Sequence, residues 1–197
     1  MSADRETLAA YAARVEDYAR MAEDQADDPL LATFIAALPA GARVLDLGCG
    51  PGRAAERMAA AGLTVEATDA APEMVERAAR IPGVMARVAT FDDITGSDHF
   101  DGIWANFSLL HAPRADMPRL LPALHRALRP GGRFHIGMKT GTGVHRDSLG
   151  RLYTYYTADE LNALLAEAGF TPLSSQTGCD TGLGGTPEDR IAITAHG

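Results

Sequence analysis

The chain has 197 residues, 46% hydrophobic and 22% charged, enough for one globular domain with a sizeable core and unlike a disordered or fibrous composition. Eighteen basic against 26 acidic residues give a net charge of -8, which repels polyanions and argues against a nucleic-acid or anionic-membrane surface, so small molecules are the expected partners. Two cysteines and six histidines without Cys-x-x-Cys or His-x-x-x-His spacing suggest neither a disulfide framework nor a metal site. The start Met1-Ser-Ala-Asp-Arg-Glu is polar, and no apolar stretch reaches about 18 residues, so neither a secretion signal nor a membrane span is expected and the cytoplasm is the expected compartment.

Residues 5 to 37 read as helical, since Leu8, Tyr11, Val15 and Tyr18 return at spacings of three or four, with a break near Asp27-Asp28-Pro29. Residues 1–40 form an N-terminal helical cap on this reading, and 41–197 the core of a single domain. Strand and helix then alternate: a strand over 44–47, a helix from Arg53 stopped by Gly62, a strand over 64–68, and a helix opened by Pro72 and closed before Pro82. Strands over 84–90 and 102–106 precede a helix through Leu120, Leu121, Leu124 and Leu128, its start blurred by Pro118 and Pro122. A strand over 133–139 leads into 140–156, a glycine-rich then aromatic stretch with no evident regular structure, read as a loop that can serve as a lid. Thr157-Ala-Asp-Glu160 is a capping box before Leu161, Leu164, Leu165 and Ala168, with Gly169 as the stop. Extended stretches near 171–178 and 190–195 complete seven strands.

Alternation of this kind requires crossovers between parallel strands, which puts helices on both faces of a doubly wound α/β sheet. Ligands bind such sheets at the carboxyl ends of the strands, where residues 46–53, Asp69, 90–93 and 106–111 converge. The run Val44-Leu-Asp-Leu-Gly-Cys-Gly-Pro-Gly-Arg53 joins a strand to a helix through a turn in which Gly48, Gly50 and Gly52 let a ligand approach the backbone. Asp69 follows at the end of the second strand, close to the separation of about 20 expected of an acid that grips ribose hydroxyls.

These residues resemble the glycine turn and following acid of class I S-adenosylmethionine-dependent methyltransferases, whose turn reads (V/L)(L/V)(D/E)xGxGxG. A fuller likeness to small bacterial type 11 and tellurite-resistance methyltransferase domains runs from about Ala10 to Phe170. The resemblance implies a Rossmann-like, mostly parallel seven-stranded sheet with an antiparallel last strand. S-adenosylmethionine is the implied cofactor, with S-adenosylhomocysteine as product. It implies that the turn, Cys49 and the helix beginning at Arg53 seat the methionine end, that Asp46 balances its ammonium through backbone or water, and that Asp69 takes the ribose diol. Ala70 and Met74 would flank the adenine, although core filling is an equal reading of Met74. After strand three the family's Gly-Asp-Ala run is missing; we expect the Phe91 N–H to meet the adenine, with Asp92 or Asp93 as acceptor unless both only cap a turn.

The resemblance also puts Asn106 among the cofactor contacts, at the point where it and Phe107 begin the acceptor side. No (N/D)PP(Y/F) motif occurs, which disfavours the branch acting on planar amide nitrogens. His111 is the candidate general base, a hydrogen-bonded structural histidine being the other reading. Tyr11 and Tyr18 share one face of the cap and, with Tyr153, are candidates to contact the acceptor or the methionine end; core packing is the alternative. His145, Arg146 and Arg151 would select an anionic acceptor or be solvated loop charges, and the arginines at 114, 119, 126, 129 and 133 read as a solvated helix face. A nicotinamide oxidoreductase is disfavoured because Arg53 stands where its third glycine would be. A non-catalytic protein that binds S-adenosylmethionine or its product, for regulation, remains the alternative to an enzyme.

Overall fold

The computed structural model describes residues 4–24, 28–181 and 185–197, the side chains at 19 and 21–24 excepted. Strands β1 (Arg43–Leu47), β2 (Thr64–Asp69), β3 (Val84–Val88), β4 (Phe100–Asn106), β5 (Leu128–Lys139), β8 (Thr171–Thr181) and β9 (Pro187–His196) form one sheet in the order β3-β2-β1-β4-β5-β9-β8. The first five are parallel, and β9 runs antiparallel to both β5 and β8. The direction of winding changes between β1 and β4, so their carboxyl ends diverge and open a crevice.

Helices α4 (Arg53–Ala60), α5 (Pro72–Ala78), α6 (Met117–Ala127) and α7 (Ala158–Glu167) cross between the strands. Leu45, Leu47, Ile103, Phe134 and Ile136 face α6 and α7 in one core, and Val44, Val65, Ala67 and Trp104 face Ala55, Met58 and Phe34 in the other. Burial on both faces explains why these strands are apolar runs rather than alternating ones. Pro118 lies in the first turn of α6, where its missing N–H would have had no helical partner, and the helix continues through Pro122. The capping box of α7 is formed in both directions: Thr157 N–H donates to Glu160 Oε2 (2.9 Å) and Glu160 N–H to Thr157 Oγ1 (3.2 Å).

The cap is α1 (Arg5–Ala12), α2 (Val15–Asp24) and α3 (Pro29–Ala36). Asp28 accepts from the N–H groups of Leu30 and Leu31 and Pro29 opens α3, which accounts for the break; Asp27 lies outside the described residues. The stretch 140–156 is not structureless. Its strands β6 (Val144–Arg146) and β7 (Leu152–Thr154) pair antiparallel, and Leu152 N–H donates to Thr7 Oγ1 of α1 at 2.8 Å. Arg146 pairs with Asp4 at 2.9 Å, which holds the Asp4 carboxyl well below the usual carboxylate range. Three-residue strands show no period, and contacts with α1 hold them. Among the described residues no helix is long and apolar enough to cross a membrane.

Candidate active site

Where β1 ends, the chain turns sharply. Gly48 and Cys49 both donate their N–H groups to the Thr68 carbonyl, at 2.7 and 2.9 Å, which ties the turn to the end of β2. Gly48 has φ +73°, and a Cβ on it would lie 2.3 Å from the Cβ of Ser108, so any side chain would push β4's exit away. Gly50, at φ +52°, differs: a Cβ there would meet nothing among the described residues within 4 Å, because the turn opens onto a cavity of about 340 Å³. Gly52 caps α4 and packs on Ala78 of α5.

Asp69 closes the turn from the other side. Its Oδ2 accepts the Gly50 N–H and its Oδ1 the Ala71 N–H, each at 2.9 Å. Burial raises the Asp69 carboxyl above its ordinary value, and N–H groups of Ala71, Gly50 and Ala70 pull it back. Asp46 lies behind the turn instead of in the cavity wall. It is 3% exposed, accepts the Ala55 N–H of α4 at 3.0 Å, and is pushed up to about 7 by burial. Arg53 also stays out of the wall, pairing with Glu56 along the helix at 3.4 Å.

The cavity wall includes Gly48, Cys49, Gly50, Asp69, Ala70, Met74, Thr90, Phe91, Asn106, Phe107 and His111. Asp92 and Asp93 are not in it. A 3₁₀ turn over Phe91–Asp93 directs them away: Asp93 accepts from the Thr90 N–H (2.8 Å) and hydroxyl (2.9 Å), and Asp92 pairs with Arg119 of α6 at 2.5 Å. Neither carboxylate expected as an acceptor there therefore reaches the cavity wall.

On the far side, α1 and the β6–β7 hairpin complete the enclosure. The Tyr11 hydroxyl lies 2.6 Å from His111 Nε2, and His111 Nδ1 lies 2.8 Å from the Leu152 carbonyl. A carbonyl only accepts, so the proton is on Nδ1 and Nε2 presents a lone pair to the Tyr11 hydroxyl. Burial lowers His111 to about 4 and raises Tyr11 above its ordinary value, leaving both neutral near pH 7. Tyr18 stacks obliquely on Tyr11 with centroids 4.9 Å apart and accepts a hydrogen bond from Arg151. Tyr153, from β7, stands 4.9 Å from the His111 ring and carries the Lys139 ammonium 3.8 Å from its own centroid.

A family model described as a methyltransferase domain matches residues 18–175. The chain belongs to that methyltransferase family. A ubiquinone biosynthesis O-methyltransferase of Xanthomonas oryzae is 40% identical over 107 residues, covering 49% of this chain and 43% of the relative, so the chain spans under half the length of that protein. The 27-O-demethylrifamycin SV methyltransferase of Amycolatopsis mediterranei is 33% identical over 162 residues, 71% of this chain and 57% of the relative. Among solved structures, a Burkholderia thailandensis 1,6-didemethyltoxoflavin-N1-methyltransferase holding 1,6-didemethyltoxoflavin and S-adenosylhomocysteine superposes with a TM-score of 0.72 at 28% identity, covering 100% of this chain and 91% of that one.

The methyltransferase domain also places residues in the cavity wall that the sequence reading did not single out: Thr7, Leu8, Ser108, Lys139, Asp180, Glu188 and Arg190. Lys139 pairs with Glu188, Arg190 with Asp180, and the Tyr155 hydroxyl donates to Glu188 at 2.6 Å. Because β9 runs antiparallel, its first residues, Glu188 among them, lie at the same edge as the last residue of β5, Lys139; position at that edge was the usable signal. Of the loop charges, Arg151 reaches the wall and is 5% exposed, whereas Arg146 pairs with Asp4 and His145 stands near the Thr142 carbonyl at 3.0 Å.

Proposed function

We propose that this domain transfers a methyl group from S-adenosylmethionine to a small-molecule acceptor. The observation that carries the reading is the meeting of the Asp69 carboxylate and the open face of Gly50 on the wall of a cavity that the Tyr11–His111 pair also lines. The residues present fit the cofactor. Gly50 leaves room over the turn, Asp69 retains lone pairs for a vicinal diol, and Ala70, Met74 and Phe91 offer apolar surface to a purine. A cavity of about 340 Å³ is in the range of small-molecule sites. When bound, S-adenosylmethionine supplies an activated methyl group on a sulfonium.

The chain's own contribution is orientation and proton handling. Holding the acceptor in line with the methyl at about 3 Å supplies much of the acceleration. Phe107 and Tyr153 give the acceptor lobe aromatic faces, and the paired ions Lys139–Glu188 and Arg190–Asp180 give it a polar rim, which suits a planar, partly polar molecule. An acceptor hydroxyl can pass its proton to the Tyr11 oxygen while the Tyr11 proton moves to His111 Nε2, which is unprotonated above about pH 4. The toxoflavin relative is an N1-methyltransferase and the ubiquinone and rifamycin relatives are O-methyltransferases, and the Tyr11–His111 pair serves either kind of acceptor when it carries a proton to lose.

Turnover of methyl-labelled S-adenosylmethionine against a panel of phenols, enols and N-heterocycles tests the proposal. Label transfer to one of them, lost in Asp69→Ala, is the expected result. Tight binding of S-adenosylhomocysteine with no transfer to any acceptor would answer instead to the regulatory alternative.

A further inference from the structure

At the carboxyl end of β4 one side chain is held by its neighbours on β5. Asn106 stands opposite Gly137 in the strand register, and Trp104 opposite His135. A Cβ on Gly137 would lie 2.1 Å from Asn106 Oδ1, so the carboxamide occupies the space that the missing side chain leaves. From there Oδ1 reaches back along the pair to within 3.3 Å of His135 Nε2. The His135 ring is fully buried and lies flat on Trp104, centroids 3.7 Å apart and planes 13° apart, and among the described residues its Nδ1 has no hydrogen-bond partner.

That orphan nitrogen decides the tautomer. A bare lone pair inside an apolar stack costs less than a buried N–H with nothing to donate to, so the ring proton sits on Nε2 and is donated to Asn106 Oδ1. Burial, which lowers His135 to about 3, keeps the ring neutral. With Oδ1 turned into the space beside Gly137 and toward His135, the NH2 group is the end of the carboxamide left to meet a ligand. Among the described residues no other group accepts from that NH2, and Asn106 lines the cavity between the glycine turn and His111.

We propose that His135 is a positioning residue that fixes the Asn106 carboxamide with its NH2 toward the acceptor lobe. The site then takes an acceptor that presents a lone pair there, a hydroxyl or carbonyl oxygen or an unprotonated ring nitrogen, and rejects an ammonium, which has none. The acceptor half of the inference rests on the function proposed above; the tautomer and the carboxamide orientation do not.

Nitrogen-15 NMR of the histidine rings reads the tautomer without turnover, the His135 signals being assigned by their loss in His135→Phe. The expected pattern is a protonated Nε2 and a bare Nδ1. His135→Phe keeps a flat ring on Trp104 but has no N–H to give, so the Asn106 Cγ resonance should shift, and His135→Gln, which restores an N–H, should return it most of the way. S-adenosylhomocysteine affinity should stay within twofold in both variants. Catechol added to the S-adenosylhomocysteine-loaded protein should move the Asn106 NH2 signals, and benzylammonium should leave them in place. A proton on Nδ1, or an Asn106 Cγ signal unmoved in His135→Phe, overturns the positioning role. NH2 signals moved by benzylammonium and not by catechol overturn the acceptor chemistry. Failure of the methyl-donor reading would show differently, as absence of S-adenosylhomocysteine binding in the unaltered protein.

Discussion

Replacing Asp69 by alanine removes a carboxylate that closes β2 onto the glycine turn and faces the cavity. In the free protein two N–H groups, of Gly50 and Ala71, lose acceptors that stand at 2.9 Å each. A buried donor left without a partner costs about 1–3 kcal/mol, and the low end applies here because the turn borders a cavity that admits water. Removing a desolvated charge returns part of that cost, so a net loss of about 1–2 kcal/mol in folding stability is expected. For the ligand, losing a charge-assisted bidentate contact to a diol costs about 1–3 kcal/mol, or roughly 5- to 150-fold in Kd. Calorimetric titration with S-adenosylhomocysteine measures the second quantity and urea unfolding the first. A folded Asp69→Ala variant that binds S-adenosylhomocysteine within twofold of the unaltered protein would refute the ribose assignment.

Two glycines of the turn should respond oppositely to the same methyl group. Gly48→Ala, with its Cβ 2.3 Å from that of Ser108, should lose about 2–4 kcal/mol of stability by urea unfolding, whereas Gly50→Ala, with free space, should lose about 1 kcal/mol yet weaken S-adenosylhomocysteine binding. Tyr11→Phe keeps the ring and deletes the hydroxyl 2.6 Å from His111 Nε2; a fall in maximal rate of about 10²-fold at little change in cofactor affinity is expected, and His111→Ala should match it without adding to it in the double variant. Because burial holds His111 at about 4 and His135 at about 3, the unfolded chain binds more protons below its ordinary histidine value of 6.5. Stability should therefore fall as pH drops from about 6.5 toward 4, and His135→Phe should flatten part of that slope in denaturant titrations across the range. Asp46 runs the other way: its carboxyl is raised from 3.8 to about 7, so its contribution is present at low pH and lost as pH rises through that window. Asp46→Asn, which keeps an acceptor for the Ala55 N–H, should gain stability at pH 7 relative to pH 4.

What could be read from the residues was what local chemistry demands. Glycines at 48 and 50 and the capping box at 157–160 each express a backbone requirement within a few residues, and the structure has them in those roles, while Asp69, read as a ribose ligand, ends β2 and accepts backbone N–H groups there. The seven-stranded sheet followed from the alternation of periods, with the antiparallel β9 supplied by the family resemblance. Directions of individual side chains did not follow. Whether Asp92 or Asp93 reaches the cavity depends on a single 3₁₀ turn and on Arg119, and whether Asp46 faces a ligand or α4 depends on where the helix begins. The β6–β7 hairpin was invisible because its strands are three residues long and its anchors, Thr7 and Asp4, lie far away in the chain. Lys139 and Glu188 meet only because β5 and β9 run in opposite directions.

The central claim is that the turn at Gly48–Gly50 and the Asp69 carboxylate seat S-adenosylmethionine. A crystal structure of the protein grown with S-adenosylhomocysteine tests it most directly. The account requires the ribose hydroxyls on Asp69, the purine against Ala70, Met74 and Phe91, and the amino-acid end over the turn, with the sulfur facing the lobe of Asn106 and His111. Ligand density outside this cavity, or a ribose turned away from Asp69 within it, would contradict it.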